Sequence, residues 1–101
     1  MTKYLILDTE TSSLFDFTLP ADDPSQPRLA AATMILLDSL EAEPQEHAFM
    51  VKPDGWEMTA EASNVNGLTT EMLLADGLPV AHVLDFYEAQ IRAGYHMAAY
   101  N

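Results

Sequence analysis

The chain has no cysteine. That excludes disulfides, thiolate zinc sites and cysteine nucleophiles. It is almost as poor in cations: Lys3, Arg28, Lys52 and Arg92 stand against 16 acidic residues, for a net charge of −12. Non-specific grip on nucleic acid relies on Lys and Arg neutralising phosphates, so this surface cannot hold a long duplex. Two readings remain: an acidic domain that avoids nucleic acid, or a site that touches only a terminal nucleotide through metal ions. No apolar run reaches the ~20 residues needed to span a bilayer, and no membrane partner is expected. The N-terminal apolar stretch is short, is interrupted by Asp8 and lacks the cleavage site of a secretory signal. A cytoplasmic protein is expected. The 4 glycines form no phosphate-cradling loop, and Ser12-Ser13 lack the flanking glycines of a nucleophile elbow. His47, His82 and His96 do not have zinc-site spacing and read as structural or surface residues.

What is present suits one small domain. The 101 residues include just under half apolar ones, enough for one core and too few for two domains. Residues 3–8 are a near-continuous apolar run of strand length, the pattern of a strand buried on both faces. Residues 14–27, with Pro20, Pro24 and Pro27, form a loop expected to be mobile. The alanines of Arg28 to Asp38 alone would allow a helix, but the neighbouring strand signals favour a second strand. His47, Phe49 and Val51 alternate as a third, closed by Pro53-Asp54-Gly55. The pattern then becomes helical. Thr59 can cap a short helix from Ala60 to the Asn66-Gly67 break, and Thr69 or Thr70 a second that ends near Asp76-Gly77. After Pro79, the residues Val80, Val83, Leu84, Tyr87 and Ile91 recur at helical spacing up to Gly94. Residues 95–100 begin a fourth strand. The helix would cross one face and bring that strand in parallel to the first.

The chemistry concentrates at Asp8-Thr9-Glu10. Alternate side chains of a strand share a face, so both carboxylates point the same way at the strand's end. A hard divalent cation would relieve their repulsion, and magnesium takes carboxylate oxygens while leaving room for water and phosphate. The triplet alone is ordinary in so acidic a chain; its flanks make it specific. Phe15, Phe17 and Trp56 offer faces on which a base could stack, although Trp56 is better placed to cap the core beside the third strand.

The segment Leu5-Ile6-Leu7-Asp8-Thr9-Glu10-Thr11-Ser12-Ser13-Leu14 resembles the first motif of the DEDD-type 3′–5′ exonucleases, the family of the proofreading subunit of bacterial DNA polymerase III. Val51 to Gly55 is similar to that family's third strand and turn. Residues 60–72 resemble the segment before its crossover helix, and Met97 to Asn101 the opening of its second motif. The resemblance runs in order along nearly the whole chain. It implies an α/β, ribonuclease H-like exonuclease fold, with residues 1–101 forming a partial exonuclease domain from the first motif to the start of the second.

The resemblance also implies two-metal hydrolysis at a single-stranded or frayed DNA or RNA 3′ end, with Mg2+ or Mn2+ as the ions and a polymerase as a conceivable partner. In a complete site two ions lie ~3.5 to 4 Å apart. Asp8 and Glu10 become catalytic metal ligands, and Thr11, Leu14, Glu61 and Asn66 become substrate contacts. Asn66 stands where the family usually has histidine, Tyr100 replaces another, and Ser13 replaces a glycine. The chain stops before the second-motif Asp, and the third-motif His and Asp are absent. This piece alone is therefore expected to be inactive or nearly so. The alternatives are an interaction module that forms oligomers through an exposed sheet edge, and a protein that binds metal or nucleotide without turnover.

Overall fold

A computed structural model describes residues 2–99. Its elements are β1 (Lys3–Thr11), β2 (Leu29–Leu37), β3 (Gln45–Met50), α1 (Ala60–Asn66), α2 (Thr70–Asp76), α3 (Val80–Arg92) and β4 (Tyr95–Ala99). Their kinds and order are those expected from the sequence. Tyr100 and Asn101, the last two residues of the second-motif resemblance, lie outside the described residues. The strands form one four-stranded sheet in the order β3-β2-β1-β4. β1, β2 and β3 make an antiparallel meander. β4 joins β1 in parallel, from Lys3 opposite Tyr95 to Leu7 opposite Ala99. A parallel partner needs a crossover connection, and α3 supplies it.

The sheet's alternation decides which side is core. Leu5 pairs with Leu36 and Leu7 with Met34 across β1 and β2. Leu5, Ala32, Met34 and Leu36 are buried on that face, and α3 covers them with Val83. Phe86, Tyr87, Phe49, Trp56 and Tyr95 pack around this cluster. Full burial of one such aliphatic side chain is worth about 1.5–3 kcal/mol. His47 lies 4.9 Å from the Phe86 ring, centroid to centroid, a packing role consistent with its sequence reading.

Four local expectations are corrected. β1 is not buried on both faces. Leu5 is fully enclosed, whereas Ile6 on the opposite face is only half-buried, because among the described residues no helix lies over that side. β1 also continues past Asp8 to Thr11, its small polar residues still pairing with β2 down to Leu29 across an irregularity at Glu10/Thr11. The apolar stripe of α3 is rotated from the expected one: Val83, Phe86 and Tyr87 face the sheet, and Val80, Leu84 and Ile91 are exposed. The third strand stops at Met50, and Val51 instead bridges to Leu78.

The short helices are fixed by their caps. Thr59 accepts from the Ala62 amide and Thr69 from the Met72 amide, while Thr70 Oγ1 accepts from the Met58 amide at 2.9 Å. Gly77 is required by close approach. A Cβ there would sit 2.5 Å from the Lys52 backbone nitrogen and would also strike the Leu73 carbonyl oxygen. This contact lets Leu78 exchange hydrogen bonds of 2.8 Å with Met50 and Lys52, which joins the end of α2 to the end of β3.

Candidate metal and nucleotide site

Asp8 pairs with Thr33 and Glu10 with Ala31 in the β1–β2 register. Both carboxylates therefore stand on the face opposite Leu5 and Leu7, beside small neighbours, and both are exposed. Among the described residues neither is engaged by an ion pair. A hard divalent cation fits this donor set, since magnesium binds through one or two carboxylates plus water and substrate phosphate. The set is partial, however: among the described residues no group of three His, Asp or Glu side chains could enclose an ion.

The four expected substrate contacts are placed differently from one another. Thr11 directs its hydroxyl to the Ser13 carbonyl at 2.9 Å. Asn66, the last residue of α1, donates from its amide to the Thr11 carbonyl at 3.3 Å and accepts from the Leu68 amide at 3.0 Å. Thr11 and Asn66 are thus brought together across 55 residues. Glu61 lies exposed in the first turn of α1. Leu14 is 75% exposed in the loop that follows β1.

Ser12 is the residue that the sequence reading passed over. It is 4% exposed and binds three ways. Its amide donates to the Arg28 carbonyl at 2.9 Å, its hydroxyl accepts from the Arg28 amide at 2.8 Å, and its carbonyl accepts from the Thr59 amide at 2.9 Å. One serine thereby ties the carboxylate strand to the start of β2 and to the cap of α1. Its partners are distant in sequence; the one local signal is a small hydroxyl residue at a strand end, which suits side-chain to backbone bonding.

The loop after β1 is ordered around Gln26. That side chain is 7% exposed; it accepts from the Asp16 amide and donates to the carbonyls of Asp16, Leu19 and Pro20. Asp16 and Asp23 each accept from a backbone amide and a hydroxyl two residues on, from Thr18 and Ser25. Those hydrogen bonds, the hydroxyl's first, hold both carboxyls below the usual aspartate range. Phe15 and Phe17 pack edge to face at 4.8 Å and remain exposed, Phe17 by 89%.

No family model and no curated protein matches the chain. Solved structures do. A product-bound exonuclease I aligns with a TM-score of 0.71 at 22% identity, covering 99% of this chain and 22% of that one. E. coli exonuclease I in complex with a dT13 oligonucleotide gives 0.69 at 22% identity, over 100% and 21%. The complex of exonuclease I with the SSB C-terminus gives 0.69 at 24% identity, over 99% and 21%. The chain spans about a fifth of the length of these structures. Sheet order, crossover helix and parallel fourth strand together give this chain the ribonuclease H-like fold of exonuclease I.

Proposed function

We propose that residues 1–101 carry part of a metal-dependent 3′–5′ exonuclease centre, the part that runs from the first motif to the start of the second. The observation that carries this is the pair Asp8 and Glu10: two exposed carboxylates, without an ion-pair partner among the described residues, on one face at the end of an inner strand, in a fold shared with exonuclease I. Asp8 and Glu10 hold Mg2+ or Mn2+; when bound, two such ions supply an activated water and stabilise the leaving oxygen. Thr11 lies by the terminal sugar, and Leu14, Glu61 and Asn66 contact the terminal nucleotide. The substrate is a single-stranded or frayed 3′ end, a reading supported by the oligonucleotide in one of the similar structures. With a net charge of −12, the chain engages the end of a strand and not its length.

Manganese titration followed by paramagnetic broadening tests the site. Broadening is expected around Asp8 and Glu10 and is expected to vanish in Asp8→Asn; broadening spread evenly over the acidic surface would sink the proposal. With Mg2+ and a labelled single-stranded oligonucleotide, the 101-residue chain is expected to release almost no mononucleotide, because among the described residues no third carboxylate or histidine joins Asp8 and Glu10. Rapid release abolished by Asp8→Asn would show instead that the chain is a complete enzyme.

A second reading rests on β4. Among the described residues it is an edge strand with one hydrogen-bonded neighbour, and Met97 on it is 48% exposed. Unprotected edges pair with other chains, which favours a self-associating interaction module. Light scattering after size exclusion is expected to give a dimer at high concentration on this reading, and a monomer at every concentration rules it out.

A further inference from the structure

The chain's four cations are not equally occupied. Arg92 pairs with Glu88 at 2.5 Å. Lys3 donates to the Ala93 carbonyl at 2.8 Å and sits 4.5 Å from the centre of the Tyr95 ring. Arg28 and Lys52 have no side-chain partner among the described residues. Both line the same groove, about 540 Å³ in volume, together with Trp56 and the first turn of α3. The strand register puts this groove at the sheet end that carries Asp8 and Glu10: Leu29, after Arg28, pairs with Thr11, and Met50, shortly before Lys52, pairs with Ala31. It opens on the side that α3 covers, away from the carboxylates. Ser12 holds the Arg28 backbone in place at both amide and carbonyl.

We propose that this groove binds a phosphate-bearing group, held between the Arg28 guanidinium and the Lys52 ammonium beside the Trp56 ring. In a chain with 16 acids and 4 cations, chance would rarely leave the two unpaired cations on one concavity. Guanidinium and ammonium groups are the usual partners of phosphate oxygens. The first turn of α3 adds to the positive potential: it contains no acidic residue and its cap makes no side-chain hydrogen bond, and although the His82 amide donates to the Pro79 carbonyl at 2.9 Å, the Val80 and Ala81 amides before it face an anion without a side-chain competitor. Asp54 is the opposing charge on the groove wall, and its removal should tighten binding. The inference does not depend on the exonuclease reading, because the groove is separate from Asp8 and Glu10 and needs no metal.

The sequence's single tryptophan is the natural probe. The 101-residue chain is titrated in EDTA with inorganic phosphate, dTMP, thymidine and the oligonucleotide dT4, and Trp56 fluorescence is followed. A saturable change with phosphate and dTMP is expected, with none from thymidine at equal concentration. Arg28→Ala with Lys52→Ala should weaken the dTMP response at least tenfold. Arg28→Lys should retain it in part, Asp54→Asn should strengthen it, and Asp8→Asn should leave it unchanged. A stronger response to dT4 than to dTMP assigns the phosphate to a nucleic-acid strand; an equal response assigns it to a free nucleotide. The proposal is overturned by no saturable response, by thymidine acting as well as dTMP, by an undiminished response in the double variant, or by loss of the response in Asp8→Asn. Circular dichroism of the double variant, expected to match the parent, separates lost binding from lost fold, and Arg28→Lys supplies the same check within a retained charge.

Discussion

Single residues differ in how far their placement could be seen in the sequence. Asp8 and Glu10 were visible because a strand's two-residue period places alternate side chains on one face whatever the rest of the chain does. Ser12 was not. Its hydroxyl and backbone bind Arg28 and Thr59, and nothing local encodes partners so far along the chain. Ser12→Ala would strand the Arg28 amide without an acceptor. The cost of an unsatisfied buried donor is about 1–3 kcal/mol, so urea unfolding of this variant is expected to show a loss of that size. A loss below the error of extrapolation would mean that water takes the hydroxyl's place. The contact between Asn66 and Thr11 spans 55 residues and was equally invisible, although the resemblance had already drawn both residues to one site.

Among the elements, the strands and helices were legible because the hydrophobic period changes from about two to about 3.6 between β3 and α3. What the period does not tell is which side of an element will be covered. For β1 the apolar run suggested two buried faces, and for α3 it suggested a stripe of which Val83 and Tyr87 face the core while Val80, Leu84 and Ile91 do not, because coverage depends on neighbours remote in sequence. The loop between β1 and β2 was expected to be mobile from its prolines, yet Gln26 gathers it with four hydrogen bonds. Asp16 and Asp23 add a pH dependence. Their carboxyls are held below the ordinary aspartate value of 3.8 by hydrogen bonds from Thr18 and Ser25. A carboxyl depressed in the folded state contributes its stability above the unfolded value and loses it as pH falls through the folded one. Amide exchange in residues 16–26, corrected for its intrinsic pH dependence, is therefore expected to accelerate relative to β1 and β2 below about pH 4. Equal acceleration in loop and sheet would count against this.

For the molecule as a whole, a short acidic chain builds a sheet with one face packed and one face, the one bearing Asp8 and Glu10, uncovered by any helix among the described residues. The core is correspondingly thin: among the described residues, Leu5, Met34, Leu73, Val51 and Val83 are its largest fully enclosed side chains. The meander of β1, β2 and β3 is built from connections close in sequence. β4 depends on the whole crossover and, among the described residues, has β1 as its one neighbour in the sheet.

Trp56 packs against the core beside β3 and α3, far in sequence and in sheet order from β4. The protein's single tryptophan thus reports on the β3 and α3 side of the core and only weakly on β4. A thermal melt followed by tryptophan emission should lag one followed by the amide signals of β4, and the gap between the two curves would measure how much of the sheet comes apart before the core does; coincident curves would mean that the four strands melt as one.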